Sequence, residues 1–212
     1  MRYKLVIFDF DGTLADSFPF FLRSLNTLAA AYHFKPIDAS EVDQLRGLDV
    51  RQMMKHVGMP AWKIPFVAAA FIRMMASAID EIRLFDGVPA LLRQLAEKGV
   101  QLAIVSSNSE ENIRRVLGPE HASLMAQYEC GTSVFGKQRK FRKVVRKSGF
   151  RASEILCVGD EIRDLEAARA EGLAFGGVLW GYTRSDILQA QTGIMLFQTV
   201  ADIAETVLDE NR

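Results

Sequence analysis

Two carboxylates one residue apart, Asp9 and Asp11, follow directly on an apolar run, Leu5-Val6-Ile7-Phe8, and are followed in turn by Gly12 and Thr13. A short continuous run of this kind suits a strand buried on both faces better than a half-exposed one. The glycine and threonine then turn the chain. The acids therefore stand at the carboxyl end of a strand, where open α/β sheets gather their ligands. Two neighbouring carboxylates repel each other, and keeping both ionised needs a cation, a shared proton or good solvation. A Mg²⁺ ion held by oxygen ligands would supply that cation. A solvated acidic turn is the bland alternative, and an isolated D-x-D says no more than that.

Three further stretches have chemistry at the edge of an apolar run. In LAIVSSNS (102–109) a strand pattern ends in hydroxyl and amide residues. The Ser106 hydroxyl and the backbone N–H groups after it, beginning with Ser107, could donate to a phosphate oxygen. A serine-rich helix cap would look the same. In GKQRKFRKVVRK (136–147) a basic amphipathic helix is written, most of whose cations belong on a solvated face. In ILCVGDEIRDLEAA (155–168) an apolar strand meets Gly159 and Asp160, with Asp164 one helical turn further on and on the same face. Glu161 lies beside them.

The elements that must position these residues fall into two parts. Residues 17–82 carry only helical signals: 20–32, a segment starting near Ser40, 53–57, and a long Ala- and Met-rich stretch from 64 to about 83. The hexapeptide RGLDVR (46–51) reads as a turn between helices. From Phe85 onward helices alternate with strands: helix 90–98 stopped by Gly99, strand 101–105, helix 110–117, a short strand at 128–131, helix 138–148, strand 155–158, helix 162–171 and strand 176–180. Such alternation implies right-handed crossovers and a mainly parallel sheet with helices on both faces. The fold class is α/β: a doubly wound sheet with an all-helical insertion after its first strand.

Composition narrows the partners. The chain of 212 residues holds one sizeable core, or a core and a small accessory domain. Lysine plus arginine equals aspartate plus glutamate at 26 each, which gives no bulk attraction to nucleic acid or an anionic membrane. Cys130 and Cys157 form neither a disulfide framework nor a metal-spacing motif. No signal peptide and no bilayer-length apolar stretch is written, so a reducing cytoplasm is the default expectation. A monomer and a homodimer are both compatible with these features.

The string DxDGT after a buried strand, then a strand-end serine, a lysine and GDxxxD, in that order and at separate strand ends, resembles the haloacid dehalogenase (HAD) superfamily of phosphohydrolases over nearly the whole chain. The resemblance implies a Rossmann-like core at 1–16 and 83–212 and a helical C1-type cap at 17–82. It further implies that Asp9 attacks phosphorus and becomes an aspartyl phosphate, while Asp11 serves as general acid and then base. Phosphate contacts fall to Ser106, Ser107, Gly12, Thr13 and a lysine. Lys137 matches that lysine best and Lys140 competes, since the Lys-Pro pair of many relatives is missing here. Mg²⁺ would be held by Asp9, the backbone carbonyl of Asp11 and Asp160, with Asp164 and Glu161 orienting water or the lysine. Dehalogenases lack the second aspartate and need no Mg²⁺, so Asp11 favours phosphoryl chemistry. In the cap, Arg46 or Arg51 of RGLDVR is the candidate for contacting the substrate, and His33 and His56 belong to the surface. Trp180-Gly181-Tyr182 resembles a segment of phosphoglycolate phosphatase-like members and is expected to flank the site. The implied activity is Mg²⁺-dependent hydrolysis of a small phosphorylated metabolite, closest to phosphoglycolate phosphatase. A phosphomutase of the β-phosphoglucomutase type and a non-catalytic interaction module are the alternatives.

Overall fold

Every residue of the first strand, β1 (Leu5–Phe8), is buried, because the strand lies in the middle of a sheet covered on both faces. The computed structural model describes residues 2–131 and 136–209. After β1 the chain makes a short strand, β2 (Ala15–Asp16), and enters four helices: α1 (Phe18–Tyr32), α2 (Val42–Leu45), α3 (Val50–His56) and α4 (Ile64–Ser77). It returns through β3 (Arg83–Leu84), which pairs antiparallel with β2 and closes a two-stranded ribbon at the base of the insertion. The doubly wound part follows: α5 (Val88–Glu97), β4 (Gln101–Val105), α6 (Glu110–Ser123), β5 (Met125–Glu129), α7 (Lys137–Ser148), β6 (Ile155–Gly159), α8 (Ile162–Ala170), β7 (Ala174–Val178), α9 (Ser185–Gln189), β8 (Met195–Phe197) and α10 (Val200–Leu208).

The main sheet has the order β5-β4-β1-β6-β7-β8, with every pairing parallel. Successive side chains of a strand point to opposite faces, and the core divides accordingly. Val6 and Phe8 join Leu102, Ile104, Leu156 and Val158 on the face covered by α5, α6 and α10. Leu5 and Ile7 join Ala103, Val105, Ile155 and Cys157 on the face where Phe141 and Val144 of α7 and Leu165 and Ala168 of α8 pack. A third apolar cluster, built from Leu25, Leu28, Leu45, Met59, Ile64 and Val67, lies wholly within the inserted helices. No helix among the described residues is long and apolar enough to cross a membrane.

Several boundaries differ from those expected. The long insertion helix stops at Ser77, and a 3₁₀ turn (Ile79–Glu81) and β3 take up the residues after it. The turn assigned to 46–51 ends sooner, because the Asp49 carboxylate accepts from the Gln52 amide at 2.8 Å and starts α3 at Val50. Helix α6 runs on to Ser123 across a break at Gly118, whose φ of 71° precedes Pro119. The strand expected at 128–131 is Met125–Glu129, and that expected at 176–180 is Ala174–Val178. The edge strand β8 and helices α9 and α10 were not anticipated. β8 is only three residues long with one buried position, too short to show a period.

Candidate active site

Strand β1 is flanked by β4 and β6, and the three end side by side. Chain direction reverses its order in the sheet here: after β1 it moves outward to β4 and β5, then returns to β6 on the other side. A crevice opens at such a switch point beyond the carboxyl ends of the strands. Asp9, Ser106 and Asp160 are the residues immediately following these strands, and all are at least 97% buried.

Asp9 is fixed from three directions. Its N–H donates to the Val158 carbonyl at 2.8 Å, continuing the β1–β6 ladder by one residue. Its Oδ1 accepts the Phe10 amide at 2.8 Å, and its Oδ2 lies 2.7 Å from Lys137 Nζ. Lys137 Nζ is also paired with Asp164 Oδ1, so one buried ammonium stands between two carboxylates. These contacts are ion pairs by distance, without the direction of a hydrogen bond. Burial alone would lower the Lys137 pKa, but Asp164 and Asp9 outweigh it and hold the amine charged. Asp164 is pushed up to about 7, by burial first, with Lys137 opposing. Its Oδ2 accepts the Glu161 amide at 3.2 Å, closing the capping box of α8.

Lys140, the competitor, points elsewhere. Its Nζ donates to the carbonyls of Ser106 at 2.6 Å and Gly131 at 2.8 Å, tying the end of β4 to the turn after β5. Of the two lysines, Lys137 meets the carboxylates and Lys140 holds backbone.

Asp160 is completely buried. Thr13 Oγ1 donates to its Oδ1 at 2.8 Å and the Tyr182 amide to its Oδ2 at 2.7 Å. Burial, then Glu161, Asp9 and Asp164, push its pKa well up. A glycine is needed at two places around it. A Cβ at Gly12, whose φ is +79°, or at Gly181 would overlap the Asp160 carboxylate. Gly12 and Thr13, expected at the phosphate, have their polar groups engaged inside the loop: the Gly12 amide donates to Ala15 O and the Thr13 amide to Phe10 O.

Asp11 Oδ2 accepts from Asn108 Nδ2 at 3.0 Å, whereas its Oδ1 is buried without a partner. Burial, opposed by the nearby Ser17 hydroxyl and reinforced by Asp9, raises its pKa to about 6. Ser106 Oγ accepts the Asn108 amide at 3.1 Å, and Ser107 lies half-buried on the cavity wall beside Asp11.

In the insertion, Arg46 does not present an uncommitted guanidinium. It donates to Gly181 O at 2.8 Å and Tyr182 O at 3.0 Å and lies over the Phe18 ring, clamping the helices to the loop after β7. Arg51 lines a second cleft with Lys137, Glu161 and Arg163. His33 is exposed, and His56 is half-buried beside Glu41. In the loop after β7, Trp180 Nε1 donates to Thr13 O at 3.2 Å and the Tyr182 hydroxyl meets Ser17 Oγ at 2.9 Å.

Sequence reasoning missed Asn108, Ser17 and Arg163. Arg163 pairs with Glu161, and that pair lines the same cavity as Asp11, Ser107 and Tyr182. A cation inside GDEIRD was visible, but only the fold turns it toward the acids.

The ligand atoms of Asp9, Asp160 and Asp164 lie within 4.8 Å of one another. With Asp11 and Glu161 there are, among the described residues, five carboxylates against two cations, Lys137 and Arg163. That excess of carboxylates, three of them buried, and the unpartnered Asp11 Oδ1 fit a hard divalent cation with all-oxygen ligands such as Mg²⁺.

The model of the haloacid dehalogenase-like hydrolases matches residues 6–178. The phosphoglycolate phosphatase of Synechococcus elongatus is 34% identical over 205 residues, which cover 96% of this chain and 97% of that protein. A 5'-nucleotidase of Pseudomonas aeruginosa is 28% identical, covering 90% and 89%. Among solved structures, a Lactobacillus plantarum protein provisionally described as a phosphoglycolate phosphatase superposes with a TM-score of 0.82 at 26% identity, covering 97% of this chain and 99% of that one.

Proposed function

The chain belongs to the haloacid dehalogenase-like hydrolases and is a phosphatase, and from that premise we propose that it hydrolyses a small phosphate monoester in two steps through Asp9. What supports this most is the meeting of Asp9, Asp160 and Asp164 around Lys137 at adjoining strand ends. Uncatalysed hydrolysis of such esters is extremely slow, and covalent transfer divides it into two easier steps.

In the first step Asp9 Oδ attacks phosphorus, the phosphorus–oxygen bond to the alcohol breaks, and Asp11 gives its proton to the leaving oxygen. A carboxyl raised to about 6 is partly protonated near neutral pH, so it can give a proton and is basic enough to take one back. In the second step Asp11 accepts a proton from water as the water attacks the aspartyl phosphate, releasing inorganic phosphate and freeing Asp9. Lys137, Ser106 and the Ser107 amide meet the phosphoryl oxygens, so that positioning and electrostatics carry most of the acceleration. Asp9, Asp160 and the Asp11 carbonyl would hold Mg²⁺, which when bound neutralises phosphoryl charge next to the nucleophile. Asp164 keeps Lys137 aimed at Asp9. The inserted helices 17–82 act as a cap that excludes water and bears on the alcohol.

Phosphoglycolate, named by the relatives, is the reference ester. Release of phosphate from it or from p-nitrophenyl phosphate should need Mg²⁺ and fall at least about 10³-fold in Asp9→Asn. Undiminished turnover by that variant would remove Asp9 as the nucleophile.

A further inference from the structure

We infer that the alcohol half of the substrate is apolar, about the size of a benzyl or hexyl group, and is housed in a cavity between the inserted helices. This rests on the phosphatase reading and extends it to a substrate class. The cavity has a volume of about 190 Å³. At one end its wall is Asp11, Ser107, Glu161, Arg163 and Tyr182, so it is continuous with the site of chemistry. Beyond that end it is lined by Leu22 and Leu25 of α1, Met53 and Met54 of α3, and Val67 and Ala68 of α4.

Three observations make this more than a loosely packed bundle. Protein interiors are packed at crystal density and leave few voids larger than a water; an apolar cavity of about 150 Å³ already accepts benzene. Leu22, Met53, Met54 and Ala68 are apolar yet only half-buried, and all four face this one space. Methionines adapt their shape to a bound group, while Ala68 leaves room that a larger residue would fill. Finally, both guanidiniums on the cavity wall already have protein partners. Arg46 is engaged with Gly181 O, Tyr182 O and the Phe18 ring, and Arg163 with Glu161. An alkyl or aryl group would find along Leu22, Met53, Met54 and Ala68 the apolar walls it needs.

The test uses the Mg²⁺-loaded enzyme and a series of n-alkyl phosphates from methyl to octyl, with benzyl phosphate and phosphoglycolate alongside. Binding of the matching alkylphosphonates, which cannot be hydrolysed, is followed by calorimetry. Affinity and kcat/KM should rise about three- to fourfold per methylene to about six carbons and then level, with hexyl and benzyl phosphates ahead of phosphoglycolate. Ala68→Phe should lower the hexyl-to-methyl ratio at least about tenfold, and Leu22→Asn should lower it too; thermal melting checks that each is folded. A flat series in both turnover and phosphonate binding, or phosphoglycolate preferred over every alkyl ester, overturns the inference and leaves an Asp9-dependent phosphatase standing. Chain-length-dependent phosphonate binding with no ester turned over would instead keep the cavity assignment and remove the phosphatase reading.

Discussion

At the scale of single residues, the site depends on which lysine reaches which partner. Both belong to one basic helix, three residues apart, yet Lys137 is paired with Asp9 and Asp164 while Lys140 donates to two backbone carbonyls. Lys137→Met removes the only cation among the described residues paired with Asp9 and should lower kcat by about 10²–10³-fold. Lys140→Met should cost about tenfold, through displacement of the Ser106 strand end; steady-state kinetics of the two side by side separates the roles. Gly181 bears on the same centre from behind, since a Cβ there would overlap the Asp160 side chain. Gly181→Ala should therefore weaken Mg²⁺ binding about ten- to a hundredfold, read as the Mg²⁺ concentration needed for half-maximal phosphatase activity.

Whole elements decide whether those residues stay in place. Helix α7 carries both lysines and is tied to the edge of the sheet by Glu129, the last residue of β5, whose carboxylate lies 2.7 Å from Lys143 and 2.8 Å from Lys147. Burial alone would push the Glu129 carboxyl up, but the two ammonium groups outweigh it and hold it below its usual value. A group depressed in this way stabilises the fold fully above its unfolded pKa, near 4.5, and loses that contribution as pH falls through the lower folded value. The lysines are half exposed, which limits the effect to about 1 kcal/mol. Urea midpoints measured between pH 6 and pH 3 should fall more steeply for the native chain than for Glu129→Gln. Equal slopes would show that the α7–β5 tie contributes nothing.

For the molecule as a whole, several acids are gathered where the sheet reverses direction, and their repulsion is relieved by cations. A ligand that binds only the folded state stabilises it by mass action, about 2.7 kcal/mol at a hundred times its Kd. For a chain of 212 residues that corresponds to a rise in Tm of about 5–10 °C. Mg²⁺ added to metal-free protein should produce such a rise, and Asp160→Asn should abolish it; scanning calorimetry reads both. The alternation of apolar runs with helical patterns, and the acids and hydroxyls at the ends of those runs, were enough to determine the α/β class, the parallel sheet and the candidates Asp9, Asp11, Ser106 and Asp160. These signals are local, because strand burial and strand-end chemistry are written in consecutive residues. Only the tertiary structure brought Lys137 to Asp9 and Lys140 to backbone carbonyls, engaged Arg46 with Gly181 O and Tyr182 O, brought Asn108 and Arg163 to the acids and opened an apolar cavity above them. Each of those depends on where side chains far apart in the chain come to rest against one another, and spacing along a sequence carries no record of that direction.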